Sequence, residues 1–213
     1  MGSRKTALVN NEYYHIYNRG VDKREIFLDK NDLFYFFDGV KEFNGQEPIG
    51  SLYLKNLDRD KQVLISQAYQ LVNIVAFCLN PNHFHLILKQ NSDKGIEKFM
   101  QRLGTSYTKH FNHKNNRTGA LFQGKFKSKH IDNNEYLLYL SAYVNFNDKI
   151  HGIESPEKIT FSSLKEYTEN MSGICEKSII LDQFKNREGY KKFLSDSIAE
   201  LIRQKEGKKE LEE

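Results

Sequence analysis

Apolar and polar positions change period several times along the chain, and each change marks an element. Tyr13-Tyr14-His15-Ile16-Tyr17 is a short aromatic run closed by Asn18-Arg19-Gly20, the pattern of a strand entering a turn. Leu33, Phe36, Phe37, Val40 and Phe43 follow at helical spacing, with Asn31 or Asp32 placed to cap that helix. The region 45–61, rich in Gly, Asp and Lys, reads as a loop. Leu71 to Leu79 is a continuous apolar run, Asn80-Pro81-Asn82 a turn, and His83-Phe84-His85-Leu86-Ile87-Leu88 a second run, which together predict an antiparallel hairpin. A helix is predicted from about 96 to 111, then a loop from 119 to 131 that could hold a strand. Asp132 or Asn133 caps the next helix, through Tyr136, Leu137, Leu140, Tyr143 and Val144. Beyond residue 150 come a loop around Pro156, a short segment at 178–184, and a final helix from about 187 to 203 ending in a charged tail. Strand, helix, hairpin, helix is an α+β order, an antiparallel sheet covered by helices.

Length and composition narrow the class. The 213 residues suit one domain, or one domain with an appendage. A 38% apolar and 13% aromatic content excludes a disordered chain. No apolar run approaches the ~18 residues that a membrane span needs. Cys78 and Cys175 are too few for a disulfide framework, so a reducing, cytoplasmic setting is expected.

The net charge of +4 is modest, and its distribution says more. Residues 150–213 carry 11 Lys/Arg against 13 Asp/Glu, whereas residues 1–149 carry 21 against 15. Between Lys98 and Ile131 stand Lys98, Arg102, Lys109, Lys114, Arg117, Lys125, Lys127 and Lys129 with no acid among them. Tyr107, Phe111, Phe122 and Phe126 are interleaved with these bases. Positive charge between flat rings suits nucleic-acid phosphates and unstacked bases. A solvated basic face packed by its own aromatics gives the same pattern.

His83 and His85 are two apart on a predicted strand, so both imidazoles leave one face while Phe84 points the other way. Their backbones stand ~7 Å apart, close enough for two rings to converge on one divalent cation. Two ligands are an incomplete set, to be filled by oxygen donors from elsewhere. Two half-exposed polar residues on a sheet would look the same. The helix predicted over 133–147 offers both missing parts, since Tyr143 and Asn147 lie one turn apart on one face. Asn147 has a carbonyl oxygen for a hard cation, and Tyr143 a hydroxyl that nearby positive charge makes more acidic and hence nucleophilic. Tyr136, Tyr139 and Tyr143 also satisfy a plain amphipathic face, and spacing does not choose between the two.

These residues form an ordered set of motifs. Tyr14-His15-Ile16-Tyr17-Asn18-Arg19-Gly20 comes first, then Asn80-Pro81-Asn82-His83-Phe84-His85-Leu86, then Gly104-Thr105-Ser106-Tyr107-Thr108-Lys109-His110-Phe111-Asn112. Arg117 to Ser128, Glu135-Tyr136-Leu137-Leu138 and Tyr143-Val144-Asn145-Phe146-Asn147 follow. From about Tyr13 to Phe193 the chain resembles the single-tyrosine HUH transposases (His, hydrophobe, His), in the branch of the REP-associated tyrosine transposases. The resemblance implies a ferredoxin-like palm over residues 1–150 as the catalytic domain, with residues 151–213 a small C-terminal helical extension packed on or beside it. It implies Tyr143 as nucleophile, with His83, His85 and Asn147 holding Mg²⁺ or Mn²⁺. The implied reaction cleaves and rejoins single-stranded DNA near hairpins through a 5′-phosphotyrosine. The expected partner is single-stranded or hairpin DNA, bound by a monomer or homodimer and away from any membrane. Arg102, Lys109, Arg117, Lys125 and Lys127 would then hold phosphates, Phe122 and Phe126 would stack on bases, and Asn18 and Arg19 would touch the strand near the sheet. The family commonly has Pro after the motif asparagine, and here Asp148 stands in its place, which predicts a looser helix end. Two rivals stay open: a relaxase or replication-initiator nuclease, and a domesticated hairpin-binding module with little or no cleavage.

Overall fold

The first strand of the chain pairs with two strands far from it in sequence, and that pairing organises everything else. The structure, a computed structural model, describes residues 7–47, 70–153, 159–169 and 171–207, the side chains of 205–207 excepted. Strands β1 (Tyr13–Arg19), β2 (Val72–Asn80), β3 (His83–Gln90), β4 (Lys127–Ile131) and β5 (Phe161–Ser162) form one sheet in the order β4-β1-β3-β2-β5. Every neighbouring pair is antiparallel. Helix α1 (Lys30–Glu42) lies between β1 and β2 in sequence, and α2 (Gly95–Lys114) between β3 and β4. Each crossover skips one strand, which gives the interlocked βαββαβ unit of a ferredoxin-like palm, with β5 added at the edge.

Alternation along β1 and β3 sorts their side chains. Phe84, Leu86 and Leu88 share a face with Tyr14 and Ile16, and α1 and α2 cover it, with the Phe36 and Phe84 ring centroids 5.3 Å apart. Burying each such side chain contributes about 1.5–3 kcal/mol. His83 and His85 share the opposite face with His15 and Tyr17. Against that face lie α3 (Asn134–Asn145) and α4 (Asn147–Ile150), with α5 (Leu164–Thr168) and α6 (Ser178–Leu181) at its margin and α7 (Arg187–Gly207) packed on α3, α4 and α5.

The chain after residue 158 is fastened to the sheet rather than appended loosely. The Ser163 amide donates to the Phe77 carbonyl at 2.9 Å, and the Tyr167 hydroxyl to the Val75 carbonyl at 2.7 Å, where β2 bulges between Ile74 and Ala76. Tyr190 of α7 is fully buried; its hydroxyl accepts from Asn145 Nδ2 at 3.1 Å and lies 3.3 Å from Ser141 Oγ. No helix among the described residues is long and apolar enough to cross a membrane.

Several boundaries differ from the sequence expectation. Helix α1 is capped by Asp29, whose carboxylate accepts from the Asp32 amide at 3.0 Å, and not by Asn31 or Asp32. Asp32 is turned inward, accepting from the Leu28 amide at 2.8 Å and from Lys114 Nζ at 2.6 Å. Helix α2 runs further at both ends than expected, starting at Gly95, where a Cβ would meet the Leu71 carbonyl oxygen at 2.3 Å. The strand allowed for within 119–131 is β4, and the 178–184 segment holds the single turn α6. Most of the expected 45–61 loop, the surroundings of Pro156 and the end of the charged tail lie outside the described residues.

Asp32 clamps α1 to the end of α2. Burial alone would raise its pKa, but His110 at 3.6 Å and hydrogen bonds from Lys114 and the Leu28 amide outweigh it and lower the value from 3.8 to about 2. The ion pair therefore contributes fully above about pH 4 and is lost as the pH falls towards 2. Asp32→Ala should cost about 1–3 kcal/mol at neutral pH, since the Leu28 amide loses its acceptor while Lys114 keeps Asp29. Urea midpoints measured from pH 6 down to 2.5 should show the wild-type advantage shrinking with acid.

Candidate active site

The hairpin turn sets the first histidine. The Pro81 carbonyl accepts from the amides of Ile26 and Phe27 at 2.6 and 3.0 Å, and the Asn82 carbonyl from the Gly20 amide at 2.9 Å. The Asn82 amide nitrogen donates to the Lys23 carbonyl at 3.2 Å, which turns its oxygen onto His83 Nδ1 at 2.6 Å. An amide oxygen only accepts, so His83 carries a proton on Nδ1. Its Nε2 is 3.0 Å from Asn80 Nδ2, a donor, and 3.1 Å from Asn147 Oδ1, an acceptor, and the Asn80 amide also donates to Asn147 Oδ1 at 2.5 Å.

His85 is held differently. Its Nδ1 lies 2.8 Å from His15 Nε2, with the rings stacked at 5.0 Å. Its Nε2 is buried without a hydrogen-bond partner among the described residues. Burial, and secondarily Lys129, pushes the His15 pKa down to about 3. Burial also carries His85 well below the usual imidazole range, reinforced by His15, His83 and His151. Both rings are neutral at physiological pH, the state that can donate a lone pair to a cation.

Tyr143 of α3 stands edge-on to this pair, its ring centroid 5.6 Å from that of His85 and 6.5 Å from that of His15. The expected continuous helix from 133 to 147 is broken at Phe146, whose φ and ψ of −108° and 15° are not helical. Beside the break, Ser162 Oγ of β5 donates to the Asn145 carbonyl at 3.4 Å, and Ser163 Oγ, just past β5, to the Asn145 side-chain oxygen at 2.6 Å. Asn147 thus begins α4 instead of extending α3, yet it reaches His83 and is fully buried. Its side-chain oxygen accepts from Asn80 Nδ2, while its side-chain nitrogen is buried without a hydrogen-bond partner among the described residues.

The donor set can be tested against a metal ion. Among the described residues, no three His, Cys, Asp or Glu side chains gather as a metal cluster. What converges is an open set of two imidazoles and one amide oxygen. His85 Nε2, without a hydrogen-bond partner among the described residues, and His83 Nε2 beside Asn147 Oδ1 are donor atoms that fit a divalent cation whose other ligands come from water or substrate.

The predicted DNA contacts separate into three groups. Asn18, Arg19 and Lys127 line a small pocket of about 30 Å³ with His83 and His85, and Tyr17 and Gln123 complete it. Lys109, Phe122, Lys125 and Phe126, again with Asn18, line a larger cleft of about 780 Å³ between α2 and the 120–126 loop. Arg102 and Arg117 join neither. Arg102 donates to the carbonyls of Gly45 and Gln46 at 2.6 and 3.1 Å. Arg117 donates to Asn112 Oδ1 at 2.5 Å and the Ala120 carbonyl at 2.9 Å. Sequence reasoning missed His15, Tyr17, Asn80 and Asn82. The alternation of β1 already placed His15 and Tyr17 on one face; the register that sets that face beside His85 was the absent information.

A ferredoxin-like palm with two histidines on its central strand and a tyrosine helix across them is the arrangement that the motif resemblance led one to expect. Comparison with known proteins points the same way. Residues 61–147 match the family described as "Transposase IS200 like". The fold is similar to the solved structure of a REP-associated tyrosine transposase bound to a REP hairpin. That match has a TM-score of 0.50 and 16% identity, over 82% of this chain and 90% of the other. No curated protein matches the chain. The resemblance to the single-tyrosine transposases, and the palm it implied, are borne out.

Because His15 titrates near 3 instead of 6.5, the unfolded chain binds a proton that the folded one refuses. Stability should fall as the pH drops below about 6.5, by up to about 1.4 kcal/mol per pH unit from this ring. NMR of the imidazole nitrogens between pH 8 and 4 should find His15 uncharged throughout.

Proposed function

We propose that this protein is a transposase-like endonuclease and strand transferase that cuts and rejoins single-stranded DNA beside hairpins through a 5′-phosphotyrosine. The observation that carries the reading is the ring of Tyr143 set against His85, whose Nε2 is buried without a partner. The IS200-like match supports transposase chemistry, and the REP hairpin in the similar structure supports hairpin DNA as the partner.

The Tyr143 oxygen attacks the scissile phosphorus. The O–P bond to tyrosine forms, the bond from phosphorus to the 3′-oxygen breaks, and the phenolic proton passes by way of solvent to the departing oxygen. The products are a 5′-phosphate esterified to Tyr143 and a free 3′-hydroxyl. A 3′-hydroxyl from another end reverses the step, rejoins a strand and returns the proton to Tyr143, with no external energy source. His83 and His85 through Nε2, and Asn147 through Oδ1, would hold Mg²⁺ or Mn²⁺. When bound, such a cation supplies positive charge to the phosphoryl oxygens and to the leaving oxygen. Arg19 and Lys127 hold phosphates beside the pocket, while Lys109, Lys125, Phe122 and Phe126 guide the strand with Asn18 between the two groups. Arg102 and Arg117, already bonded within the fold, contribute positive field rather than direct contacts.

A labelled hairpin oligonucleotide incubated with the protein and Mn²⁺ should give a covalent adduct on a denaturing gel. Tyr143→Phe should give none, and an adduct from that variant would overturn the nucleophile. EDTA should abolish the wild-type adduct. His83→Ala combined with His85→Ala should lose both the adduct and Mn²⁺ binding measured by calorimetry. His15→Phe, which keeps a ring but removes the partner of His85, should weaken Mn²⁺ binding by about 10–100-fold. Tight hairpin binding with no adduct under any metal would instead establish a hairpin-binding module.

A further inference from the structure

Two of the glycines that line the larger cleft are not explained by packing. Gly104 lies deep inside α2, where glycine is less stable than alanine because it has more backbone freedom to lose. A Cβ built on Gly104 meets nothing within 4 Å. Two other helical glycines have steric reasons, since a Cβ on Gly39 would stand 2.9 Å from Leu103 and one on Gly95 would strike the Leu71 carbonyl; Gly189, near the start of α7, has none but lines no cleft described here. Across the cleft, Gly124 has a φ of +80°, which accounts for its identity, and its missing Cβ also faces open space. The fold therefore gives up helix stability at Gly104 to keep volume that its own side chains do not use.

We infer that this cleft is a receptor for one unpaired nucleobase of the strand cut at Tyr143, held open by Gly104; the inference rests on the single-strand DNA reading above. The volume of about 780 Å³ lies within the range of small-ligand sites. Phe36, Phe84 and Leu121 give it a buried apolar floor, and Phe122 and Phe126 are half-buried rings at its side. The faces of a base are apolar and its flanking phosphates are anionic, which matches an aromatic cleft rimmed by the exposed Lys109 and Lys125. The one acid in the lining, Glu97, is three turns of α2 away from Lys109, at about 18 Å along the axis. Continuity with the reaction site comes from Asn18, which lines both this cleft and the small histidine pocket.

The test uses the full chain and dye-labelled hairpins with unpaired tails, in which each tail nucleotide is replaced in turn by an abasic one. Fluorescence anisotropy should reveal a tail position where loss of the base weakens wild-type binding by about fivefold or more, as a stacked base would. Gly104→Leu fills the cleft and should bind the intact and abasic tails equally. Gly104→Ala should leave the Tm unchanged or raise it by about 2–4 °C, a direction that a merely structural glycine would not give. The inference is overturned if no tail position discriminates, or if Gly104→Leu keeps the discrimination. Adduct formation at Tyr143 without discrimination removes the cleft reading alone, whereas absence of both hairpin binding and adduct removes the wider reading with it.

Discussion

Strand β3 is hydrogen-bonded along both edges and covered on both faces, so a histidine placed there loses water and must find other partners for its ring nitrogens. Two such histidines stand side by side, and much of the surrounding polar structure answers their need. Asn82 takes the proton of one, Asn80 and Asn147 approach its other nitrogen, and His15 takes the inner nitrogen of the other. Among the described residues, His85 Nε2 and the neighbouring Asn147 Nδ2 are left without hydrogen-bond partners. Buried polar atoms without partners are costly, and two in one cluster fit a ligand from outside the chain.

Much of this was legible in the sequence because alternation and helical spacing are local. The hairpin, the shared face of His83 and His85, and the helix carrying Tyr143 all follow from short windows. What stayed illegible depends on distant partners. Lys114 stands 82 residues from Asp32 and draws that carboxylate inward, leaving Asp29 to cap α1. Ser162 and Ser163, 17 and 18 residues further along the chain, hold Asn145 beside the break at Phe146. His15 gained its meaning only from a register linking residues 70 positions apart.

The acid-free stretch from 98 to 131 also divides on inspection. Arg102, Lys114 and Arg117 are held by internal carbonyls and carboxylates, so part of that charge supports the palm. Lys109 and Lys125 stand at the large cleft and Lys127 at the histidine pocket. Charge that looked uniform along the sequence is thus split between scaffold and surface, and composition could not have made that division.

The fastening of α3 by Tyr190 and β5 has a consequence for how the molecule is assembled. The palm is complete once residue 131 has joined the sheet, and it already contains both histidines. The tyrosine arrives later, on a helix whose anchors include Ser163 and Tyr190, further still along the chain. A polypeptide emerging from the ribosome would therefore hold the ligand face before it holds the group set against it. The two halves of the site thus come from separate stretches of the chain, and the second is steadied by residues made later still.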